Sequence, residues 1–343
     1  MWGDDMRRSL EKILYRYYYF SLSICNGIHH KIPNKTLKLM LIILLLPVIV
    51  FNRVFGAVSE MFLYYRTKRK KEKENKTVFD YDIAVVAIAK NEGKYIREWL
   101  TYHKLIGIQK VLLYDNESTD DLENIVKPYV DIGFVEYIKY PGIGMQMNAY
   151  NDAIKRYKNS IKYMAVIDCD EFLVSVDENG KLLPILEKLF KKYPASGGIG
   201  ISWCVYGSSG QEKKEAGLVT ERFTHRGNRG EFPSVMYKSV INPRLVKKYV
   251  SPHFPVYKRG AYAVAPDGRR LYGMYNYDVC FEEIVCNHYF CKSKEEFIEK
   301  ISRGLADKPG VFRDMPEFEL YDKNDIEDKR MLKYTAAIKD NLL

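Results

Sequence analysis

Between residues 81 and 174, short apolar runs alternate with segments of helical periodicity, and few folds accommodate this alternation. Four runs have the apolar continuity of strands buried on both faces: YDIAVVAIAK, QKVLLYDN, GFVEYIKY and YMAVIDCDEFLV. Three intervening segments have helical spacing: GKYIREWLTYHKLIG, STDDLENIVKPYV and QMNAYNDAIKRYKN. Strands and helices that alternate in this way predict right-handed crossovers. We therefore expect an α/β domain with a mostly parallel sheet flanked by helices.

Local signals set the expected ends of the first two helices. Gly107 can stop the first helix, because glycine readily adopts the left-handed conformation in which helices often end. Ser118 or Thr119 can cap the second helix, and Pro128 can help to end it.

The positive charge of the chain lies near its N-terminal end. The 343 residues carry a net charge of +10. Residues 1–78 contain 15 Lys and Arg against 6 Asp and Glu, so the remaining chain is nearly neutral. Basic residues confined to one flank favour contact with an anionic membrane surface over a nucleic-acid groove. We expect no nucleic-acid partner.

Residues 39–51, LMLIILLLPVIVF, are uninterrupted apolar residues. A spanning helix needs about 20 such residues, so this run is short, although VFGAVSEMFLYY extends it. Seven Lys and Arg lie in residues 1–38 and seven in 66–76, which gives no orientation. We favour a membrane-associated segment that re-enters or lies in the interface. The alternative is a helix packed on the globular domain.

These features predict five parts and a reducing compartment. The parts are a basic N-terminal helical segment (1–36), a hydrophobic membrane-associated segment (37–65), a basic linker (66–78), the α/β domain (79–310) and a peripheral charged tail (311–343). Six irregularly spaced cysteines argue against a disulfide framework. Cys286, His288 and Cys291, with Cys280 nearby, could form a zinc cluster, but their spacing matches no common zinc pattern.

Asp168 and Asp170 follow the fourth apolar run, and Glu171 comes directly after them. Side chains at i and i+2 of a strand point to the same side, so we expect the two aspartates to face together while Cys169 points away. In open α/β sheets, ligands bind beyond the carboxyl ends of the strands. Paired carboxylates suit Mg²⁺ or Mn²⁺. A strand end with solvated acids would have the same pattern.

Polar clusters also follow the first two strands, at residues 90–93 and 115–121. Because the carboxyl ends of parallel strands meet at one edge, all three clusters should converge on one crevice. Carboxylate and amide groups there can bind the hydroxyls of a ribose and the edge of a base. The sequence has neither G-x-G-x-x-G after the first strand nor a P-loop, which leaves a metal ion to neutralise phosphates.

Several motifs in order resemble the GT-A glycosyltransferases of family 2 and, more closely, of family 92. They are AIAKNEGKYIREWLTYHKLIGIQKVLLYDNESTDD, a glutamine before a helix, YMAVIDCDEFLV, WCVYGSSG, ERFTHRG, YKSVINP, PHFP and NHYFCKSKEEFIEKISRG. The resemblance spans about residues 80–305. It implies a Rossmann-like GT-A fold and transfer of a sugar, with inversion, from a nucleotide-sugar donor, UDP-sugar favoured. The implied acceptor is a glycan or a lipid-linked saccharide.

The resemblance also implies roles for the crevice residues. Asp168 and Asp170 would bind Mn²⁺ or Mg²⁺, with Glu171 orienting them. The other expected residues are nucleoside contacts at Asn91, Glu92, Asp115 and Asn116, a phosphate contact at Lys292, and a third metal ligand at His288, or as second choice His253. The alternatives are that His288 has only a structural role and that the Lys292 ammonium is solvated.

The acceptor side is expected near residues 203–253. An inverting transfer needs a general base, for which Glu221 is the candidate and Glu231 and Asp278 the alternatives. Trp203 could form a platform for a sugar face, with His253 beside the acceptor, or could belong to the core. His103 is expected to pack in the core.

Two other functions and two locations stay open at this point. A non-catalytic membrane-bound module could bind nucleotide or glycan without transfer. Haloacid-dehalogenase phosphatases also place D-x-D after an apolar strand, but there it opens the domain and Gly-Thr usually follows. Here three strands precede it and Glu-Phe follows. We expect the catalytic domain at a cytoplasmic membrane face; the alternative is a single-pass Golgi protein.

Overall fold

The computed structural model describes residues 77–176, 180–301 and 313–343, together with scattered residues between 36 and 69. The expected segments 1–36, 37–65 and 66–78 therefore lie almost wholly outside the described residues. Across those that are described, no helix is both long enough and apolar enough to cross a membrane. The chain divides into two compact units, and Val78–Lys258 with Tyr262–Leu343 forms the unit that contains every element below.

The predicted alternation of strands and helices is confirmed in the first half of this unit. The elements are β1 (Tyr81–Ala89), α1 (Gly93–Leu105), β2 (Lys110–Asp115), α2 (Leu122–Asp131), β3 (Val135–Lys139), α3 (Gln146–Tyr157) and β4 (Ile161–Val166).

Shorter strands and helices make up the second half. They are β5 (Glu171–Ser175), α4 (Leu183–Lys192), β6 (Ser196–Val205), α5 (Val219–Arg222), β7 (His225–Arg226), β8 (Tyr237–Ile241), β9 (Val246–Tyr249), β10 (Pro255–Tyr257), β11 (Tyr262–Val264), β12 (Arg270–Leu271), β13 (Ile284–His288), α6 (Lys294–Ile301), α7 (Met315–Tyr321), β14 (Ile326–Glu327) and α8 (Thr335–Asp340).

The central sheet is mostly parallel and flanked by helices, as predicted. Its strand order is β12-β11-β6-β8-β4-β1-β2-β3, and β13 pairs with both β6 and β5. Strands β4, β1, β2 and β3 are parallel. Strand β8 lies antiparallel between β4 and β6, and β11 and β13 run parallel to β6. The antiparallel β8 therefore joins two parallel parts.

Both faces of the sheet are buried, which explains the continuous apolar runs. Along β1, Val85 belongs to an apolar core that includes Trp99 of α1, whereas Val86 belongs to one that includes Tyr150 and Ala153 of α3. Successive strand residues point to opposite faces, so each face needs its own apolar partners. Each large apolar side chain buried in this way contributes about 1.5–3 kcal/mol.

The fourth apolar run forms two strands, not one. Strand β4 ends at Val166 and β5 begins at Glu171, with a turn between them in which the N–H of Glu171 donates to the carbonyl of Asp168 (3.1 Å). The expectation that Asp168 and Asp170 lie on one face of an extended strand is wrong. The Glu171 carboxylate folds back onto the N–H of Asp168 (2.8 Å), and β5 turns away to pair with β13.

The ends of α2 also differ from the expectation. Asp121 is its N-cap residue, and Pro128 lies inside the helix. The hydroxyl of Ser118 instead accepts from the N–H of Asn91 (3.0 Å), so that side chain holds another loop. Burial of the apolar side of α2 offsets the hydrogen bond that a proline removes. After α1, Gly107 has φ +96°, as the helix stop requires.

The described C-terminal residues, 313–343, belong to the folded body and are less peripheral than their weak apolar spacing predicts. Strand β14 pairs with β7. Arg226 and Asp328 form a buried ion pair (Nε–Oδ2, 2.7 Å). The Asp322 carboxylate accepts from the N–H of Ser208 (2.5 Å). These contacts are polar and join residues far apart in sequence, so hydrophobic periodicity does not reveal them.

Asp328→Ala should lower the free energy of unfolding by about 3–5 kcal/mol, because it leaves the buried Arg226 guanidinium without its carboxylate. Urea denaturation followed by circular dichroism measures this. Glu327→Ala is the control, since Glu327 pairs with Lys329 at the surface and its loss should change the free energy of unfolding little. Equal losses in the two variants would show that the Arg226–Asp328 pair does not hold the C-terminal residues.

Candidate functional site

The ends of β1, β2 and β4 meet at one edge of the sheet. Ala89 at the end of β1 pairs with Asp115 at the end of β2, and Val86 pairs with Val166 at the end of β4. The loops that follow these strands therefore lie side by side. This is the edge at which open α/β sheets bind ligands.

Asp168 lies at the centre of this edge, in the turn after β4. Its Oδ2 accepts from the ammonium of Lys238 (2.7 Å), while its Oδ1 accepts from Gln146 (3.0 Å) and Tyr150 (3.1 Å). Burial opposes ionisation, but Lys238 outweighs burial and lowers the pKa of Asp168. The lowered pKa keeps this carboxylate ionised near pH 7, and its side chain is accessible, with 31% of it exposed.

Asp170 is more deeply placed and faces a different lysine. Its Oδ2 lies 2.7 Å from the ammonium of Lys300, and its Oδ1 lies 3.4 Å from Nε2 of His288. Burial opposes ionisation, yet Lys300 and His288 hold the pKa of Asp170 well below its usual range. The structure therefore brings Asp170 and His288 together, as the sequence predicted.

Behind the aspartates, Glu171 and His288 face each other without a hydrogen bond. Oε1 of Glu171 and Nδ1 of His288 are 3.9 Å apart, and both atoms are buried and unpaired. Burial raises the pKa of Glu171 well above its usual range and lowers that of His288. Burial thus favours the neutral form of both groups, and a protonated Glu171 could donate to Nδ1 of His288 after a small shift.

Sequence reasoning missed two lysines of this site, Lys238 and Lys300. Lys238 lies on β8, is 1% exposed, and also approaches Oε2 of Glu171 (3.5 Å). A lysine inside the apolar strand YKSVI was a signal, because lysine is rarely buried unless a carboxylate pairs with it. Lys300 had no comparable signal, since α6 carries several charged residues.

Three of the four residues expected at the nucleoside also hold the loops in place. The side-chain oxygen Oδ1 of Asn91 accepts from the N–H of Thr119 (2.7 Å), and the Asp115 carboxylate accepts from the N–H of Ser118 (3.1 Å). The Asn116 amide donates to the carbonyls of residues 140 and 142 at 3.1 and 2.8 Å. These contacts tie the loops after β1, β2 and β3 into one wall of the crevice.

Glu92 and Lys292 lie on the α1 side of the crevice. Glu92 is half-buried at the N-cap of α1. Lys292 follows β13, is buried, and places its ammonium 4.3 Å from the centre of the Tyr95 ring. It also has φ +55°, in the left-handed region, a strain that persists only where the surroundings impose it. The Lys292 charge helps to lower the pKa of Asp170, so it lies within electrostatic reach of the site.

Two residues expected near the acceptor, Trp203 and His253, are buried beside His288. The Trp203 ring lies 4.3 Å from that of His288 and 5.0 Å from that of His253. Burial lowers the pKa of His253 to about 3, and its Nδ1 lies 3.0 Å from the carbonyl of Tyr237. His103 is in the core, packed on Trp99, as expected.

The three candidates for the general base lie outside this group of contacts. Glu221 on α5 is 37% exposed and pairs with Lys339 of α8 (2.9 Å). Asp278 pairs with Arg269 at the surface (2.9 Å), and Glu231 is exposed. The structure thus places Glu221 apart from Asp168 and Asp170, and its role stays a prediction.

Buried carboxylates hold the short helix α5. Glu98 of α1 accepts from the N–H groups of Val219 (2.6 Å) and Thr220 (2.9 Å) at its start. Glu296 of α6 pairs with Arg222 (2.7 Å) at its end. The segment that carries Glu221 is thereby fixed to the two helices that flank the crevice.

The donor chemistry at Asp168, Asp170 and His288 fits a divalent ion: two ionised carboxylates and a neutral imidazole. Yet over residues 77–176, 180–301 and 313–343, no three His, Cys, Asp or Glu side chains are arranged to hold a metal together. This leaves the cysteine-rich zinc cluster without support there. At the aspartates, ammonium groups stand where an ion would bind, so a metal would have to exchange with a lysine.

Residues 85–320 match the model of glycosyltransferase family 92. A family 92 protein of Oryza sativa subsp. japonica is 28% identical over 275 residues, covering 76% of this chain and 46% of that protein. One of Ricinus communis is 25% identical over 237 residues, covering 66% and 38%. The match thus spans less than half the length of these relatives.

Solved structures resemble the chain more weakly. Residues 1–349 of S. aureus TarS give a TM-score of 0.37 at 14% identity, covering 64% of this chain and 62% of that one. Glucosyl-3-phosphoglycerate synthase from Mycobacterium tuberculosis, in complex with Mn²⁺, UDP and glucosyl-3-phosphoglycerate, gives 0.24 at 19% identity, covering 36% and 44%. TM-scores this low support no inference about the site.

The ion pair between Glu296 and Arg222 makes stability depend on pH. Burial opposes ionisation of Glu296, but hydrogen bonds from Arg222 and Ser293 lower its pKa to about 2, against 4.5 unfolded. A lowered carboxylate pKa stabilises the fold above pH 4.5, and that contribution is lost as the pH falls towards 2. It amounts to roughly 3 kcal/mol.

We expect the difference in unfolding free energy between wild type and Glu296→Gln to be largest near pH 6 and to shrink between about pH 4.5 and 2. Urea denaturation at pH 6, 4 and 3 measures it. Glu299→Gln on the same helix is the control, because Glu299 pairs with Lys94 at the surface. A difference that is independent of pH would contradict the lowered pKa of Glu296.

Proposed function

The chain belongs to glycosyltransferase family 92, and on this premise we propose that it transfers a sugar from a nucleotide-sugar donor, with UDP-sugars favoured. The acceptor is a glycan or a lipid-linked saccharide, and the transfer inverts the sugar's configuration. The observation that carries the proposal is the meeting of three strand ends at Asp168 and Asp170, two ionised carboxylates surrounded by lysines.

The donor would lie across the crevice with its nucleoside towards the loops after β1 and β2. Asn91, Glu92, Asp115 and Asn116 form that wall, and hydrogen bonds from three of these side chains to the backbone of neighbouring loops keep it rigid. A rigid wall orients the nucleoside at little entropic cost. The diphosphate would then lie near Asp168 and Asp170.

Transfer places negative charge on the leaving diphosphate, and the site must stabilise it. Lys292 and Lys300 offer two ammonium groups beside Asp170. Asp168, Asp170 and His288 would hold Mn²⁺ or Mg²⁺. Such an ion acts as a Lewis acid that offsets charge on the phosphates.

Fewer observations support the proposed roles of residues on the acceptor side. An inverting transfer needs a general base beside the acceptor hydroxyl. We keep Glu221 in this role because Glu98 and Glu296 fix the short helix that carries it. Trp203 and His253 would support the acceptor side from beneath, as buried neighbours of His288.

We also propose that the chain acts at a membrane surface, with its catalytic domain at the cytoplasmic face. The basic flank, residues 1–78, supports this, since clustered Lys and Arg bind anionic lipid. The whole 343-residue chain should sediment with phosphatidylserine-containing vesicles at low salt and much less with neutral vesicles. Equal sedimentation with both vesicle types would remove the electrostatic basis of this proposal.

Asp170→Asn should reduce sugar transfer at least about 100-fold, because it weakens the hold on the divalent ion that would offset the diphosphate charge, while nearly preserving the shape of the side chain. Radiolabelled transfer to a membrane glycan extract measures the loss. Calorimetric titration of the whole chain with UDP and with GDP, with and without Mn²⁺, tests the donor site. We expect metal-dependent binding of one nucleotide, lost in the variant.

Asp131→Asn is the matched control, because Asp131 pairs with Lys127 on the surface of α2 and should leave transfer unchanged. Thermal unfolding of Asp170→Asn within about 5 °C of wild type would show that the fold persists. Unchanged turnover in a folded Asp170→Asn variant would contradict the proposed role of Asp170. Metal-dependent nucleotide binding without any transfer would indicate a binding module instead.

A further inference from the structure

We propose that Lys300 is an exchangeable cation: its ammonium neutralises Asp170 while the crevice is empty and moves to the diphosphate when a divalent ion takes that carboxylate. This deepens the proposed function and rests on it for the identity of the anion. Lys300 would then oppose metal binding in the empty site and favour nucleotide binding in the filled one.

The ammonium of Lys300 sits in a position that suits a cation. It donates to Oδ2 of Asp170 (2.7 Å) and to the carbonyl of Phe290 (2.9 Å). It also lies 4.3 Å from the centre of the Phe290 ring, within cation–π range. A carboxylate, a carbonyl and a ring face thus surround one positive charge at the carboxylate that a metal would use.

The positive charges around Asp170 favour the binding of a further anion. The Asp168 carboxylate lies 2.7 Å from the ammonium of Lys238, and the Asp170 carboxylate lies 2.7 Å from that of Lys300. Three lysines, at 238, 292 and 300, act on these two anions. Lys292 is buried and forms no ion pair among the described residues, so an arriving anion would supply the partner that it lacks. A diphosphate has the sign and size to do so.

Burial and the neighbouring positive charges already act against the ammonium of Lys300. The guanidinium of Arg313 lies over the same Phe290 ring, 4.7 Å from the ring centre, so a second positive charge is close to that of Lys300. The ammonium therefore depends on Asp170, and an arriving phosphate would offer it a second anionic partner. Its side chain is 14% exposed, so such a partner can reach it.

Lys238 shows the contrasting, fixed arrangement. Its ammonium lies 2.7 Å from Asp168 and 3.5 Å from Glu171, it is 1% exposed, and it comes from a central strand. Lys300 contacts one carboxylate and extends from near the C-terminal end of α6. A four-carbon stem can carry its ammonium a few ångströms without moving the backbone. Of the two lysines, Lys300 is the one suited to exchange.

If Lys300 exchanges between Asp170 and the diphosphate, its substitution should change the affinities for Mn²⁺ and for UDP in opposite directions. Lys300→Met frees Asp170, so affinity for Mn²⁺ alone should rise about 5- to 50-fold, the usual range for coupling between two bound groups. The same variant lacks the ammonium that meets the phosphates. Affinity for UDP at saturating Mn²⁺ should therefore fall about 10-fold or more. A purely structural lysine would lower both affinities.

The test measures Mn²⁺ binding by electron paramagnetic resonance and UDP binding by calorimetry on the whole chain. Lys292→Met should weaken UDP binding and strengthen Mn²⁺ binding much less than Lys300→Met does, because Lys292 acts on Asp170 from a distance whereas Lys300 donates a hydrogen bond to it. Lys294→Met is the matched control on the same helix, since Lys294 pairs with Glu212 at the surface, and should change neither affinity.

Unchanged or weaker Mn²⁺ binding in a folded Lys300→Met variant would overturn the exchange. If that variant does not fold, Lys300→Gln removes the charge and keeps a donor for the Phe290 carbonyl, and the same signs are expected. Failure of both variants to fold would make Lys300 structural and the proposal wrong. If wild type binds no nucleotide, the proposed function fails, while the Mn²⁺ comparison still decides whether Lys300 competes at Asp170.

Discussion

A buried ammonium, that of Lys238, is the constraint on which the candidate site depends. A lysine with almost no exposure needs a carboxylate partner, and here Asp168 pairs with it at 2.7 Å while Glu171 lies 3.5 Å away. To meet them, β8 has to run between β4 and β6 at the level of the turn after β4. That insertion leaves β6 to pair with β13, which brings His288 to the aspartates.

The titratable groups of the site differ in their ionisation although they are neighbours. Asp168 and Asp170 stay ionised because each has a lysine within hydrogen-bonding distance, while Glu171, shut off from solvent, favours its neutral form. His288 is neutral for the same reason, burial. The crevice therefore sets lysines against two carboxylates, an arrangement that suits a ligand that combines a cation with phosphates.

Much of the fold could be predicted from the sequence because its signals are local. The apolar run of β1 and the helical period of α1 reflect side chains that alternate or recur within a few residues, and both elements form as expected. The position of Asp168 at a strand end follows from the same pattern. The break between β4 and β5 does not, because it depends on β5 finding its partner β13 more than one hundred residues later.

By itself, the sequence determined the α/β class, the parallel β1–β4 region and the position of Asp168 and Asp170 at its edge, since hydrophobic periodicity and strand ends depend on residues close together in the chain. Only the tertiary structure decided which cations face those carboxylates. Lys238 and Lys300 are 70 and 130 residues away from Asp168 and Asp170, respectively. No periodic pattern in the sequence predicts such pairs, because their members come together only when the sheet has folded. The charges of the neighbouring groups then decide which side chains are ionised.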